Sequence, residues 1–505
     1  MQIAQRTSSG IANCFIALPR RITKTRKRLS DLRILFIEPP KDYWFIMGQY
    51  ISPPFGILAL AAYLEDHNPN IDIEVLDCQA GDLDWDGLER RIEAAKPDIV
   101  APSGLGTTNA FTAIRTAELA KKIDPTITTV VGGQHFTALA NESLEAYPEI
   151  DYVVRGEGEQ TLLELIDAIE GKKEPRDVAG LSFRHEGEVV HNPERPLICD
   201  LNSLPFPGYK YVEEHMGEYY FALMAEKDVP FAIVEGSRGC RHNCSYCSQW
   251  SFWKRNHRSK TPQRIADEME HIRRKYGSRF FWLTDDNLGL GQRIDELCDE
   301  LIKRDMEEVS WFCQARCDDI VNSRKLLPKM VEAGCIWMLV GFDSPDPDTL
   351  EAFRRKKLSR SVSKEAVELL RENNIFSQGT FIIGERRDTH ESIKALREYA
   401  DWVDPDIATF MTLTPFPGTE IYEEAKGRGW IEGTDWSDYD MIHAIMPTDS
   451  LTRKEVQEEL YECYQSFFGS WPRRYRNFFS KNPITKRTYQ YLARQAILTG
   501  LRSLF

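Results

Sequence analysis

Twice along its 505 residues the chain alternates short apolar strands with amphipathic helices, a rhythm that few folds other than wound α/β units accommodate. In the first series, residues 34–37, 71–76, 99–101, 128–131 and 152–154 read as buried strands, with helical stretches at 57–65, 88–95, 110–122, 136–146 and 161–169. This predicts a doubly wound, Rossmann-like parallel sheet that binds ligands beyond the carboxyl ends of its strands. The second series has strand candidates at 231–234, 280–283, 309–313, 337–341, 377–383 and 407–413, separated by helices near 262–275, 293–305, 323–333, 364–373 and 389–402. A chain of this length suggests about three domains.

In the first series the strand ends carry small or special residues. They fall in Ser52-Pro53-Pro54-Phe55, Ser103-Gly104-Leu105-Gly106-Thr107, Gly132-Gly133-Gln134-His135 and Arg155-Gly156-Glu157-Gly158-Glu159. Glycines there let a backbone approach a large ligand, and they also make tight strand-to-helix turns. Four such loops in one unit favour the ligand.

After the first strand of the second series comes Cys240, Cys244 and Cys247, spaced C-x3-C-x2-C in a loop. Three thiolates can hold three irons of a four-iron, four-sulfur cluster and leave one iron open. A zinc site would need a fourth Cys or His ligand, and the plain alternative is three unrelated buried thiols. Cys313 and Cys317 repeat the C-x3-C spacing without a third partner, so no second cluster is expected.

The triplet, with Tyr246 before its third cysteine, resembles the radical S-adenosylmethionine (SAM) superfamily. The resemblance implies a partial (β/α)6 barrel, a cluster whose free iron is chelated by SAM, and a 5'-deoxyadenosyl radical that takes hydrogen from a small-molecule substrate. It also implies an electron donor such as flavodoxin or ferredoxin. By position, Asp285, Asp286 and Asn287 would meet the SAM amino group and Arg316 its carboxylate. Gly341, Asp343 and Ser344 follow the fourth strand, where relatives usually show G-x-E-S, so Asp343 is a departure; Gly384 ends the fifth. Strand-end acids also serve as helix N-caps.

The first unit resembles the cobalamin-binding domain of the B12-dependent subgroup, through its G-G-x-H and R-G-E-G-E loops. The resemblance implies cobalamin contacts at Pro54, Ser103, Gly104, Gly132, Gly133, Gln134, His135, Gly156, Glu157, Gly158 and Glu159. The D-x-H-x-x-G signature is absent, so cobalamin is expected without a histidine on cobalt, and His135 reads as a cap or backbone contact. The corresponding organisation is a basic lead-in over 1–30, a cobalamin-binding domain over 31–175, a linker over 176–225, the barrel over 226–425 and a helical region with a basic tail over 426–505. The linker carries a small hairpin and the Pro-rich passage 200–207 that joins the two domains in this subgroup.

Cys247-Ser248-Gln249-Trp250-Ser251-Phe252-Trp253 resembles the anaerobic magnesium-protoporphyrin monomethyl ester cyclase family, and the tract 473–479 echoes its C-terminal region. Both radical methylation and oxidative cyclisation of a lipophilic or tetrapyrrole substrate fit these motifs. A reading from another class is a cobalamin- and SAM-binding redox sensor without catalysis.

A net charge of −14 argues against nucleic-acid binding. No apolar run approaches the roughly 18 residues of a membrane span. A low-potential cluster and a cysteine content too sparse for a disulfide framework point to the cytoplasm. The apolar run 11–18 precedes the basic residues Arg20 to Arg28, the reverse of a signal peptide. From Arg473 onward basic and aromatic residues interleave with no Asp or Glu. That pattern fits an amphipathic helix making a peripheral membrane contact with anionic lipid, or one docked on the protein's own acidic barrel.

Overall fold

The alternation along β1 (Arg33–Glu38) shows how the first unit is built. Ile34 and Phe36 pack with Ile57, Ala61, Leu162 and Leu165 on one face, while Leu35 and Ile37 pack with Leu88 and Ile92 on the other. A strand apolar on both faces must lie between two helical layers, which is the parallel-sheet arrangement. β2 (Asp72–Asp77), β3 (Ile99–Pro102), β4 (Thr128–Gly132) and β5 (Tyr152–Val154) join it in parallel, in the order β2-β1-β3-β4-β5. Strand order reverses between β1 and β3, so the strand ends there open a crevice. The structure is a computed structural model that describes residues 32–41, 50–104, 106–221, 229–306, 308–355 and 358–502, with side chains described as far as Arg494. The lead-in expected over 1–30, Leu105, and the last part of the basic tail lie outside the described residues or side chains.

The hairpin expected in the linker belongs instead to this sheet. β6 (Leu181–His185) pairs antiparallel with β5, and β7 (Glu188–His191) pairs with β6, so the sheet continues beyond residue 175. Phe183 and Leu181 are buried in the same core as Phe36, which explains why the hairpin docks there. The expected helix 136–146 is two helices, Gln134–Ala138 and Ala140–Ala146, because Leu139 leaves the helical region at φ −114°, ψ 36°. The expected helix 323–333 is likewise shortened to Leu327–Glu332, and a separate helix, Cys317–Asn322, precedes it.

The second unit is a six-stranded parallel sheet in sequence order: β8 (Phe231–Val234), β9 (Phe280–Leu283), β10 (Ser310–Arg316), β11 (Cys335–Asp343), β12 (Phe376–Ile383) and β13 (Ile407–Thr412). Its first strand would leave an edge exposed. Tyr209 of the linker covers it, its hydroxyl donating to the Ile233 carbonyl (2.7 Å) and accepting from the Ile233 N–H (2.8 Å). The linker also holds the first sheet, through the Tyr219 hydroxyl on Asp77 (2.9 Å).

At the far edge the helix Arg453–Gly469 starts with a capping box at Thr452 and Glu455, then buries Val456, Leu460, Cys463 and Phe467 against β13 and its neighbours. The basic tail then turns back onto the barrel. Arg473 is buried over the Phe467 ring and pairs with Asp401 (2.9 Å) and Asp404 (3.3 Å), and Arg476 also reaches Asp404 (2.8 Å). Thr485 bonds Asp406, while Ile484 and Tyr489 enter the barrel core. This part of the tail is docked on the protein's own acidic residues. No helix among the described residues is long and apolar enough to cross a membrane.

Candidate active site at the domain junction

The carboxyl-end loops of the two sheets meet. Gln134, after β4, donates to Gln249 Oε1 (2.8 Å) and accepts from the Ser248 hydroxyl (3.0 Å), one residue beyond Cys247. A little further along, Arg238, after β8, is enclosed by Glu157 (2.7 Å), Glu159 (2.6 Å) and Glu235 (3.0 Å), and Arg258 adds a second cation on Glu157 (2.8 Å). These groups are buried, so the pairing acts in a low dielectric where an unmatched charge would be very costly. The carboxylates of Glu157 and Glu159, two residues expected among the cobalamin contacts, face arginines and tie one domain to the other.

The cysteine loop is built on backbone constraints. Gly239 sits at φ +86°, and a Cβ there would stand 1.9 Å from the Asn256 carbonyl oxygen. Past that turn, the Trp250 indole N–H donates to the Cys244 carbonyl (2.8 Å) and closes the loop. Burial pushes the Cys247 thiol up to about 12 and raises Cys240, and in both the neighbouring Cys244 thiol adds to the effect. The three thiols are free of disulfides and near enough to raise one another's pKa. Among the described residues no three ligand side chains converge on a single metal-ion position, so they would take a multi-iron cluster, whose charge would drive off their protons, rather than one ion.

The strand ends around this loop divide into braces and open groups. Asp285 was expected at the SAM ammonium, but it is fully buried and accepts from the Gly236 N–H (3.1 Å), the Ser237 hydroxyl and Arg293 (2.9 Å). It anchors the root of the cysteine loop. Its neighbour Asp286 accepts from the Gly239 N–H and the Trp253 side chain at the turn before Cys240, close enough to raise the Cys240 and Cys247 thiols, and burial together with Asp285 pushes its carboxyl up to about 7. Such a carboxyl is suited to an incoming ammonium. Asn287 donates to Asp319 (3.2 Å), with its carbonyl oxygen buried and unbonded. Arg316 lies close enough to Cys240 to favour its thiolate, and its guanidinium rests on Asp318 (2.9 Å).

Asp343, at φ +51°, is paired with Arg355 (2.6 Å) and accepts from the Tyr246 hydroxyl (3.3 Å); Arg355 also donates to the Gly341 carbonyl (2.9 Å). Asp343, the departure from G-x-E-S, thus braces the cysteine loop from beneath. Ser344 accepts from the Asp346 N–H, and the Gly384 N–H donates to Asp388 (2.8 Å), so both shape turns.

Among the first-domain loops, Gly104 packs so closely that a Cβ would stand 2.6 Å from the Phe136 ring. The Ser103 N–H continues the sheet onto the Ile37 carbonyl (2.8 Å), Pro54 starts the helix Phe55–His67, and Gly133 starts Gln134–Ala138. Gly132 and Gly158 lie against Val154 and Leu60, while around the Gly156 Cα the space is open. His135 is neither a cap nor a backbone contact: it is buried edge-on against Phe136 and Trp436 (4.9 Å), its Nδ1 has no partner, and burial lowers its pKa to about 4. Trp436 comes from the C-terminal region, which explains why local motif reading missed it. Arg238 and Arg258 were missed for the same reason: Glu157 lies 81 residues from Arg238 and 101 from Arg258. Arg355, only 14 residues from Gly341, carries no motif that marks it.

With this geometry in view, residues 47–166 match the B12 binding domain family and residues 234–400 the radical SAM superfamily. The chain is 33% identical over 465 residues to the anaerobic magnesium-protoporphyrin IX monomethyl ester cyclase of Rubrivivax gelatinosus, covering 90% of this chain and 80% of that protein. The chain belongs to the B12-binding radical SAM family. It is also 30% identical over 443 residues to an uncharacterized methyltransferase of Pyrococcus horikoshii, covering 87% of this chain and 93% of that one. The solved structure of the radical SAM methyltransferase TsrM from Kitasatospora setae, with cobalamin and a [4Fe-4S] cluster bound, shares the fold at 17% identity and a TM-score of 0.67, over 86% of this chain and 91% of that one. This B12-binding radical SAM enzyme thus has the cofactor set of its family: a four-iron cluster, SAM and cobalamin.

Proposed function

We propose that this B12-binding radical SAM enzyme methylates an unactivated carbon of a lipophilic small molecule held between its two domains. The observation that carries the reading is the direct contact of the glycine-rich β4 loop with the cysteine loop through Gln134, Ser248 and Gln249. Two cofactor loops that touch suit a reaction in which both cofactors address one substrate. When bound, the cluster with SAM supplies a hydrogen-abstracting radical, and cobalamin supplies a transferable methyl group. In this reading Cys240, Cys244 and Cys247 hold three irons, Asp286 receives the SAM ammonium, and Arg316 turns from Asp318 to the SAM carboxylate. Arg355, Asp343 and Tyr246 keep the cysteine loop in place. Gly104, Gly133, Gln134 and Gly156 would hold cobalamin, and His135, enclosed by Phe136 and Trp436, would not serve as a ligand to it. The reducing electron comes from a flavodoxin- or ferredoxin-type donor.

A second reading, oxidative ring closure on a magnesium porphyrin, is favoured by the 33% identity to the cyclase of Rubrivivax gelatinosus. Product analysis separates the two. Anaerobically reconstituted protein receives SAM, a reductant and magnesium-protoporphyrin IX monomethyl ester or extracted lipids. Methylation gives S-adenosylhomocysteine and 5'-deoxyadenosine together with a product heavier by one methylene. Ring closure gives 5'-deoxyadenosine without matching S-adenosylhomocysteine. Release of neither nucleoside product removes both readings and leaves the redox sensor.

The same proposal includes a membrane home for the substrate. Trp471 and Tyr475, one turn apart on the helix Trp471–Phe478, and Phe479 at its C-cap are 76%, 72% and 63% exposed, whereas Arg473 is buried. Their apolar edge beside exposed Arg474 and Lys481 suits an anionic bilayer surface.

A further inference from the structure

Charges at the domain junction are matched almost one to one. Glu157 and Glu159 face Arg238 and Arg258, Glu194 pairs with Lys254 (2.8 Å), and Glu164 pairs with Arg195 (2.9 Å). Arg155 is left over. Among the described residues no carboxylate forms an ion pair with it; its Nη2 donates to the Asn192 carbonyl, and its buried Nε has no partner. Burial lowers its pKa, and the acid whose field opposes that shift is Glu194, already held by Lys254. Arg195 contributes a second unbonded N–H at Nη2, while its Nε donates to Thr161 (2.8 Å).

These groups border a single cavity of about 200 Å³ between Gln134, Gly156 and the cluster-side residues Ser248 and Phe252, with Arg155, Arg195 and Lys254 on its wall beside Glu157 and Glu194, whose carboxylates are held by Arg238, Arg258 and Lys254. A half-buried guanidinium without an anion is unfavourable in the empty protein, and a ligand that brings the anion relieves it. The cavity is smaller than the roughly 300–1,000 Å³ of whole-ligand pockets, so it suits one group of a larger molecule. Guanidinium forks favour planar or tetrahedral oxyanions.

We propose that Arg155 and Arg195, with Lys254 at the rim, form an oxyanion subsite that takes a phosphodiester or carboxylate from a molecule bound at the domain junction. The inference rests on the cobalamin-dependent reading above. Two molecules could bring the group: cobalamin, whose nucleotide tail contains a phosphodiester, or an acidic substrate.

The experiment titrates full-length protein, with its cluster reconstituted, with cobalamin and with cobinamide, which lacks the nucleotide tail. It compares wild type with Arg155→Gln and Arg155→Lys. If the phosphodiester is the occupant, Arg155→Gln weakens cobalamin binding roughly tenfold or more and leaves cobinamide binding unchanged, with Arg155→Lys between. If cobalamin binding is unchanged, inorganic phosphate is added to the cobalamin-loaded protein at constant ionic strength. A rise in Tm in wild type that Arg155→Gln abolishes assigns the subsite to a substrate acid group. Equal loss of cobalamin and cobinamide binding shows a merely structural arginine and overturns the proposal, as does independence of both responses from Arg155. Wild type that binds neither corrinoid removes the cofactor reading itself, and the phosphate response then decides the subsite alone.

Discussion

Gly239 meets the tightest steric demand near the cysteines, because both its positive φ and the Asn256 carbonyl exclude a side chain. Gly277 has a similar φ of +75° and nothing within 4 Å of a Cβ, so it separates the two effects. Gly239→Ala is expected to lower iron and sulfide per chain sharply after anaerobic reconstitution, while Gly277→Ala costs only the left-handed conformation, about 1 kcal/mol of stability. Equal iron content in the two variants would contradict the steric argument. A second residue-scale consequence concerns Asp77, which burial, with Glu38 beside it, pushes up to about 6. A carboxyl whose pKa is raised by folding stabilises the fold while protonated, and that contribution is lost as pH climbs from about 4 through about 6. Asp77→Asn mimics the protonated form. Its urea midpoint should exceed that of wild type by an amount that grows with pH and levels off above about 6, near 3 kcal/mol in stability. A pH-independent difference would show that ionisation of Asp77 is not the cause.

Between elements, the loop after β5 and the loop after β8 depend on one buried cation. Arg238 holds three carboxylates, and replacing it by Met leaves Glu157, Glu159 and Glu235 repelling one another with Arg258 and Lys260 as the remaining nearby cations. Removing one partner of such a buried network typically costs about 3–5 kcal/mol. Arg238→Met should lower the unfolding midpoint accordingly and open the passage 193–205 to limited proteolysis. Undiminished protease resistance would mean the apolar contacts alone hold the junction. Gly236 shows how the cluster loop is tied to the end of β9: its backbone lies against Asp285, which also receives Ser237 and Arg293.

For the whole molecule, the question is which surface meets its surroundings. The tail buries Arg473 and part of the helix Pro483–Arg502 against the barrel and leaves the row Trp471, Tyr475 and Phe479 outside. Because the three rings hold no internal contact with the core, changing all three to Ser should leave Tm nearly unaltered while abolishing co-sedimentation with phosphatidylglycerol vesicles. Each basic residue near such a surface adds about 1 kcal/mol at most, so binding should also fall steeply with salt. Binding that is insensitive to the ring substitutions would move the contact elsewhere on the protein.

Sequence alone determined the features that are local or periodic. Alternating apolar runs decided the strands and helices of both sheets, since side-chain burial repeats every second or every third to fourth residue. Three cysteines within eight residues decided the cluster loop, because short spacing constrains its own geometry. What needed the folded chain was the division of labour among strand-end polar groups. Asp285 and Asp286 are adjacent and chemically identical, yet one is enclosed by Gly236, Ser237 and Arg293 and the other is held by the Gly239 N–H and the Trp253 side chain of the cysteine loop. The carboxylates of Glu157 and Glu159 are met by Arg238 and Arg258 of the second domain, and His135, read as a cap, is covered by Trp436. In each case the deciding partner is tens to hundreds of residues away, and electrostatic and packing energies depend on distance in space rather than along the chain.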